Sequence, residues 1–314
     1  MRTEVRKLLA AALIGGSTVG AIAVHGGVSG ASGPAIPAHY AAPYLQIATS
    51  DQGDMAADMA ASGNKYYTLA FLTPKSGCTP MWEDGNFPVG QFVSVVKSLQ
   101  SKGGEVLISF GGAAGGEIAE TCTSVSTLEK AYANVVNLYG ATRLDFDIEG
   151  NYLNNTAANT RRNQALAQLQ KADPAVQVDY TLPVNPTGLA GNGIAILKNA
   201  VSNGVKVNLV NIMTMDFGNG QNALADAESA ANATHGQLGK IFAGVSSSQL
   251  WDMIGLTPIA GKNDDNEVFT QANAATLESF AASKGVGELS FWEVDAYDKK
   301  VGYAYSKIFV KITS

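Results

Sequence analysis

Between Leu144 and Gly150 the chain reads Leu-Asp-Phe-Asp-Ile-Glu-Gly, with acids at alternate positions: Asp145, Asp147 and Glu149. Successive side chains of an extended strand point to opposite faces, so the three carboxyls share one face and Leu144, Phe146 and Ile148 share the other. Neighbours on one face stand ~6.5–7 Å apart. If that face is buried, repulsion and lost hydration lift the carboxyl pKa values, and at least one of the three is expected to hold a proton near neutral pH. A carboxylic acid kept neutral at working pH is what a general acid requires. Two other uses of an acidic strand compete, a solvated edge and a divalent-cation site. The segments on both sides are too apolar for an edge. Mg²⁺ and Ca²⁺ usually draw oxygens from turns rather than from one straight strand. Gly150 ends the run immediately after Glu149, which places the acids at a strand's C-terminal end.

The elements that must hold those acids are legible as an alternation. Apolar or alternating runs at 44–48, 66–72, 105–110, 143–148, 176–182, 207–214, 253–258 and 287–292 read as strands. Between and after them, 53–61, 89–101, 126–138, 157–172, 194–201, 223–242, 271–282 and 298–310 read as helices, several of them Ala-rich. Eight strands alternating with eight helices, with no Pro/Gly-rich linker between, predict an α/β fold of the (β/α)₈ TIM-barrel type. A doubly wound open sheet is the alternative, because alternation alone does not show closure. In a barrel the apolar set of the 143–148 strand faces the outer helix and the acids face the interior, at the end where barrel active sites sit.

Composition narrows the function. Of 314 residues 46% are hydrophobic and 15% charged, against roughly 25% charged in an average domain, so a large core is readily built and disorder is not expected. The net charge of −6 opposes binding to nucleic acid, which needs clustered Lys and Arg. Three histidines and two cysteines are too few for an ordinary four-ligand zinc site, and no metal or cofactor is expected. His25 and His39 lie in or beside the N-terminal leader and His235 in a helical stretch, which disfavours a Ser-His-Asp hydrolase.

Arg2, Arg6 and Lys7 precede an apolar run over 8–24 and a small-residue stretch over 26–35, the layout of a secretory signal peptide. Residues 1–33 are expected to be removed, leaving a mature chain that begins near Pro34. Gly15, Gly16, Ser17, Thr18 and Gly20 dilute the run, whereas a membrane-spanning helix needs ~20 strongly apolar residues. The mature protein is expected to be secreted and extracellular, monomeric, and without stable membrane association. In that oxidising setting Cys78 and Cys122 can form a disulfide, the alternative being two small buried hydrophobes.

With the other segments of the alternation in view, the acidic strand resembles the D-x-D-x-E signature of glycoside hydrolase family 18, which holds retaining chitinases and endo-β-N-acetylglucosaminidases. Three more segments follow in family order. Ser109-Phe110-Gly111-Gly112 resembles the S-x-G-G motif, Met213-Thr214-Met215-Asp216 resembles the M-x-Y-D segment, and Phe291-Trp292-Glu293 resembles the last-strand segment whose Trp floors the sugar site. The resemblance covers nearly the whole mature chain, residues 34–314, and is nearest to single-domain bacterial chitinases. It implies that chitin or chitooligosaccharides are the partners, with cleavage of β-1,4-N-acetylglucosaminide bonds by substrate-assisted, retaining catalysis. Family 18 departs in this from the usual two-carboxylate scheme.

The resemblance also implies roles. Glu149 is the acid and later the base, Asp147 orients the substrate's N-acetyl group, and Asp145 shares a proton or hydrogen bond with Asp147. Trp292 would floor a pyranose, Asp216 would bond a sugar hydroxyl or the acetamido nitrogen, Met213 would pack beneath the site, and Ser109 would support Asp145. Two positions depart from the family: Thr142-Arg143 stand in place of Asp-Gly, and Met215 stands in place of a Tyr that bonds the acetamido group. Tyr180 on the neighbouring strand is the expected replacement donor. Trp82 and Trp251 are open between outer sugar contacts and core packing. The glycine-rich 111–116 stretch is read as close backbone packing near the sugar, since it lacks the register of a phosphate-binding loop. Two alternatives stay open at this point: an endo-β-N-acetylglucosaminidase and a chitinase-like protein that binds sugar without cutting it.

Overall fold

The computed structural model describes residues 34–48, 54–83, 85–220 and 223–313; the leader expected over 1–33 lies outside the described residues. The first barrel strand, β1, is split into Tyr40–Ala41 and Tyr44–Gln46. Seven strands follow: β2 (Tyr66–Ser76), β3 (Glu105–Gly111), β4 (Arg143–Asp147), β5 (Gln177–Asn185), β6 (Val207–Met213), β7 (Ile254–Thr257) and β8 (Glu288–Leu289). Each pairs in parallel with its successor, and the two pieces of β1 bridge the ends, Tyr40–Ala41 to β8 and Tyr44–Gln46 to β2. The ring therefore closes. This settles the choice between open sheet and barrel in favour of a (β/α)₈ barrel.

The helices α1 (Met55–Ser62), α2 (Val93–Ser101), α3 (Val125–Tyr139), α4 (Thr156–Ala172), α5 (Gly191–Ser202), α6 (Ala223–Ile241), α7 (Ser247–Asp252), α8 (Gln271–Lys284) and α9 (Ala304–Phe309) lie along the chain between and after the strands. Local chemistry sets their ends. Ser124 caps α3 by accepting the Thr127 N–H, and Gly140 closes it in the left-handed conformation that glycine adopts without strain. The helix expected over 298–310 is shorter, because Gly302 and Tyr303 both take positive φ and interrupt it before α9. Four small features lie outside the expected alternation: the strand pair Thr79–Trp82 and Phe87–Pro88 beyond β2, the short strand Gly188–Leu189, helix α7, and the hairpin Gly261–Lys262 with Val268–Phe269.

The two faces of the barrel wall differ in chemistry. Outward, Phe110 of β3 stacks on Phe146 of β4 at 5.2 Å and Tyr132 of α3 meets both edge-on, which welds strands to the helix layer. Inward, the wall is polar. At its N-terminal end Arg143 pairs with Asp179 at 2.5 Å and lies 4.7 Å over the Tyr40 ring, while the Tyr40 hydroxyl donates to Glu288 at 2.7 Å. Burial pushes Glu288 up to about 8. Arg143, one of the departures from the family pattern, thus balances two buried acids beneath the site. Among the described residues no helix is long and apolar enough to cross a membrane.

Candidate active site

The alternation of β4 carries Asp145 and Asp147 into the barrel and sets Glu149 at its mouth. Asp145 is buried and fully bonded: Ser109 donates at 2.6 Å and Tyr44 at 3.0 Å to Oδ2, and Thr181 donates at 2.7 Å to Oδ1. Burial pushes it up to about 6, against the pull of those hydroxyls. Asp147 lies well above the ordinary carboxyl range, through burial first and then through the charges of Glu149 and Asp145. Glu149 is raised by burial and drawn back by a hydrogen bond from Asp147. Asp147 thus shares a hydrogen bond with Glu149. Its Oδ1 is buried without a hydrogen-bond partner among the described residues. The expected bond between Asp145 and Asp147 is replaced by the three hydroxyls that occupy Asp145.

The Gly111-Gly112 pair lets neighbouring backbone come close. Gly111 has φ +104°, and a Cβ there would fall onto the Asp147 carbonyl oxygen; a Cβ on Gly112 would lie 2.7 Å from the Phe71 ring. The Gly112 N–H donates to that Asp147 carbonyl at 3.1 Å. These glycines seat β3 against β4 directly beneath the carboxyl pair, the close backbone packing expected of the stretch.

A cavity of about 280 Å³ opens over Asp147 and Glu149, walled by Met213, Met215, Thr181, Thr257 and Trp292. A second, of about 310 Å³, continues from it past Phe71 and Trp292 towards Gln46, Glu83, Asn86 and Gly111. Phe71 and Trp292 lie nearly parallel, 12° apart with centroids at 5.6 Å, and form the aromatic ridge common to both cavities. Trp292, Met213 and Met215 all line the inner cavity. Asp216 also lines the inner cavity, but its Oδ1 accepts the N–H groups of Asp264 and Asp265 at 2.8 and 3.2 Å, tying the segment after β6 to the Gly261–Phe269 hairpin.

Tyr180 is a correction. It stands on the outward face of β5, fully buried beside Phe146, with its hydroxyl donating to Asn163 of α4 at 2.6 Å. The residues of β5 that face inward are Asp179 and Thr181, so Tyr180 has no access to the acetamido position. Trp82 is also core, buried and bonded to Tyr139, and Trp251 stacks on His235 at 4.4 Å in the helix layer. Cys78 and Cys122 form a disulfide that ties the turn after β2 to the segment before α3. The same two segments are joined by a Thr121 hydroxyl bond to the Gly77 carbonyl.

Tyr44, Phe71, Thr181 and Thr257 belong to the site without being marked by any motif. Only the inward parity of β1, β5 and β7 distinguishes the three hydroxyl-bearing residues among them from packing residues. Among the described residues no cluster of His, Cys, Asp and Glu is arranged to hold a metal ion.

No family model matches the chain. It is 32% identical over 313 residues to the probable bifunctional chitinase/lysozyme of Escherichia coli (strain K12), an alignment covering 88% of this chain and 35% of that protein. It is 32% identical over 273 residues to endochitinase 11 of Metarhizium anisopliae, covering 82% of this chain and 52% of the relative. The chain thus spans between about a third and a half of the length of these curated relatives. Among solved structures it resembles the catalytic domain of the hyperthermophilic chitinase from Pyrococcus furiosus, with a TM-score of 0.82 and 34% identity over 90% of this chain and 97% of that one. Catalytic-site mutants of that protein's active domain 2 have been solved in complex with chito-oligosaccharides. Near-complete coverage of a catalytic domain at this identity, on a closed barrel with its acids at the mouth of β4, shows that the chain belongs to the chitinases of glycoside hydrolase family 18.

Proposed function

We propose that this chain is a secreted chitinase that hydrolyses β-1,4 bonds between N-acetylglucosamine units with retention, using the substrate's own acetamido group as nucleophile. One observation carries the reading. Asp147, hydrogen-bonded to Glu149, leaves one buried oxygen without a partner at the floor of a cavity walled by Trp292. A substrate acetamido N–H supplies the missing partner, and the Trp292 face takes the apolar side of a pyranose.

The proton shared by the two carboxyls is the one delivered. It passes from Asp147 to Glu149 and on to the glycosidic oxygen, while the acetamido carbonyl oxygen attacks the anomeric carbon. Asp147 is left anionic beside the oxazolinium ring, where a preorganised charge in a dry site lowers the barrier most. Glu149, now a carboxylate, takes a proton from the water that opens the ring. Asp145, bonded by three hydroxyls and raised to about 6, supplies negative charge below Asp147 near neutral pH, which favours the proton on Asp147 until substrate arrives. A chitooligosaccharide running from the inner to the outer cavity crosses the Phe71–Trp292 ridge.

The leader over 1–33 and the Cys78–Cys122 disulfide support secretion of a barrel beginning near Pro34. Reducing-end release from chitooligosaccharides by wild type and Glu149→Gln tests the activity, with binding followed in parallel. Cleavage by wild type and its loss in a variant that still binds is the expected result. Binding by both with cleavage by neither identifies a sugar-binding protein instead, and cleavage confined to N-glycan cores identifies an endo-β-N-acetylglucosaminidase.

A further inference from the structure

We propose that Asn211, held in one orientation by Thr257 and given room by Gly255, is a positioning residue that commits the hydroxyl protons of Tyr44 and Thr181 to Asp145. The kinetic consequence rests on the function proposed above; the structural one does not.

Asp145 is served by two hydroxyls that could satisfy each other instead. Tyr44 Oη and Thr181 Oγ1 lie 2.9 Å apart, and either can donate to the other. If either proton turned that way, Asp145 would keep only two of its three donors. The Asn211 amide nitrogen stands 3.1 Å from Thr181 Oγ1 and 3.3 Å from Tyr44 Oη, and it can only donate there. Its N–H groups fill acceptor positions on both oxygens, which leaves Asp145 as the destination of both hydroxyl protons. A flipped Asn211 would do the reverse, offering a carbonyl that competes with Asp145 for those protons. Two features oppose the flip. Thr257 Oγ1 donates to Asn211 Oδ1 at 2.7 Å. Gly255, paired in register with Asn211, leaves the space that Oδ1 occupies, since a Cβ at 255 would lie 2.9 Å from it. All the side chains involved are buried in the barrel wall beneath the cavity.

Asp145 is also faced by Asp147 and Arg143 of its own strand, Asp179 of β5, Glu288 of β8 and Tyr44 of β1. Those groups remain in place when Asn211 is changed, so the loss of one hydroxyl donor is the perturbation read. Fewer donors to a carboxylate raise its pKa. The proton of the set then shifts from Asp147 towards Asp145, away from Glu149.

The test is the titration of the Asp145 carboxyl, followed by ¹³C NMR in wild type, Asn211→Leu, Thr257→Val and Thr257→Ser, with folding checked by circular dichroism. Asn211→Leu and Thr257→Val are expected to move the titration to higher pH, and Thr257→Ser to restore it. Asn211 lines neither cavity, so Asn211→Leu is also expected to lower kcat about tenfold or more with KM within about twofold, the pattern of a misplaced catalytic group. If Asn211→Leu does not fold, Thr257→Val decides. An unchanged Asp145 titration in folded variants overturns the proposal whatever the activity. A wild type inactive on chitooligosaccharides overturns the proposed function instead, and the titration alone then decides the role of Asn211.

Discussion

Asp147 and Glu149 are hydrogen-bonded carboxyls in two different environments. Asp147 is buried between two other acids and Glu149 is partly open at the barrel mouth, and in the proposed mechanism the proton is passed from the deeper group to the shallower one. Asp147→Asn can still donate to Glu149 but cannot become anionic beside the oxazolinium. Its kcat is expected to fall about 10²–10³-fold, the usual cost of removing one transition-state stabiliser, with KM little changed; steady-state kinetics on chitotetraose checks this. Tyr180→Phe is expected to do the opposite. Its hydroxyl serves Asn163 in the helix layer, so kcat/KM should stay at the wild-type value while stability drops by about 1 kcal/mol. A large kinetic defect in Tyr180→Phe would restore it to the site. The parity that turns Tyr180 outward is present in Val178-Asp179-Tyr180-Thr181-Leu182, where polar Asp179 and Thr181 share the inner face with Asp145's neighbours. The missing tyrosine at Met215 makes a nearby phenol an attractive substitute, but side-chain alternation along β5 outranks that chemical likeness.

At the scale of elements, the β3–β4 contact positions the acids. Pairing of Ser109 with Asp145 and of Gly111 with Asp147 puts a hydroxyl opposite one acid and a bare backbone opposite the next. Gly111→Ala would strain a residue at φ +104° and drive a methyl into the Asp147 carbonyl. The combined backbone and overpacking cost is about 3 kcal/mol or more, expected as a lowered melting temperature together with loss of activity. A variant with both unchanged would show that β3 does not seat Asp147. The eight strands and the longer helices were readable because both faces of a parallel strand are buried, so apolar runs stand out between helical segments; the six-residue α7 was not. The small rim features were not readable. Gly261–Lys262 and Val268–Phe269 are two residues each and carry no periodicity, yet their hairpin brings Asp264 to the cleft lip. Asn211 and Thr257 were equally hidden, since an isolated polar residue in an apolar strand does not reveal which partner it meets across the barrel.

The whole molecule buries several acids whose pKa values are raised by burial: Asp145 to about 6, Glu293 to about 7 and Glu288 to about 8. A raised carboxyl means that the folded state binds its proton more tightly than the unfolded state does. Its contribution to stability is full below the unfolded values near 4 and is lost as pH rises through the folded ones. The melting temperature is therefore expected to decline between about pH 4.5 and 8.5, and Glu288→Gln to flatten the upper part of that decline; calorimetry across the range measures both. A profile that rises with pH over this window would show that these acids are charged in the folded state. The central claim, that Glu149 delivers a proton while the substrate's acetamido group acts as nucleophile, is tested most directly by real-time ¹H NMR of chitooligosaccharide hydrolysis. The account predicts that wild type releases the β anomer first, followed by mutarotation, and that Glu149→Gln releases none. An α anomer formed first, or cleavage by Glu149→Gln at the wild-type rate, would contradict it.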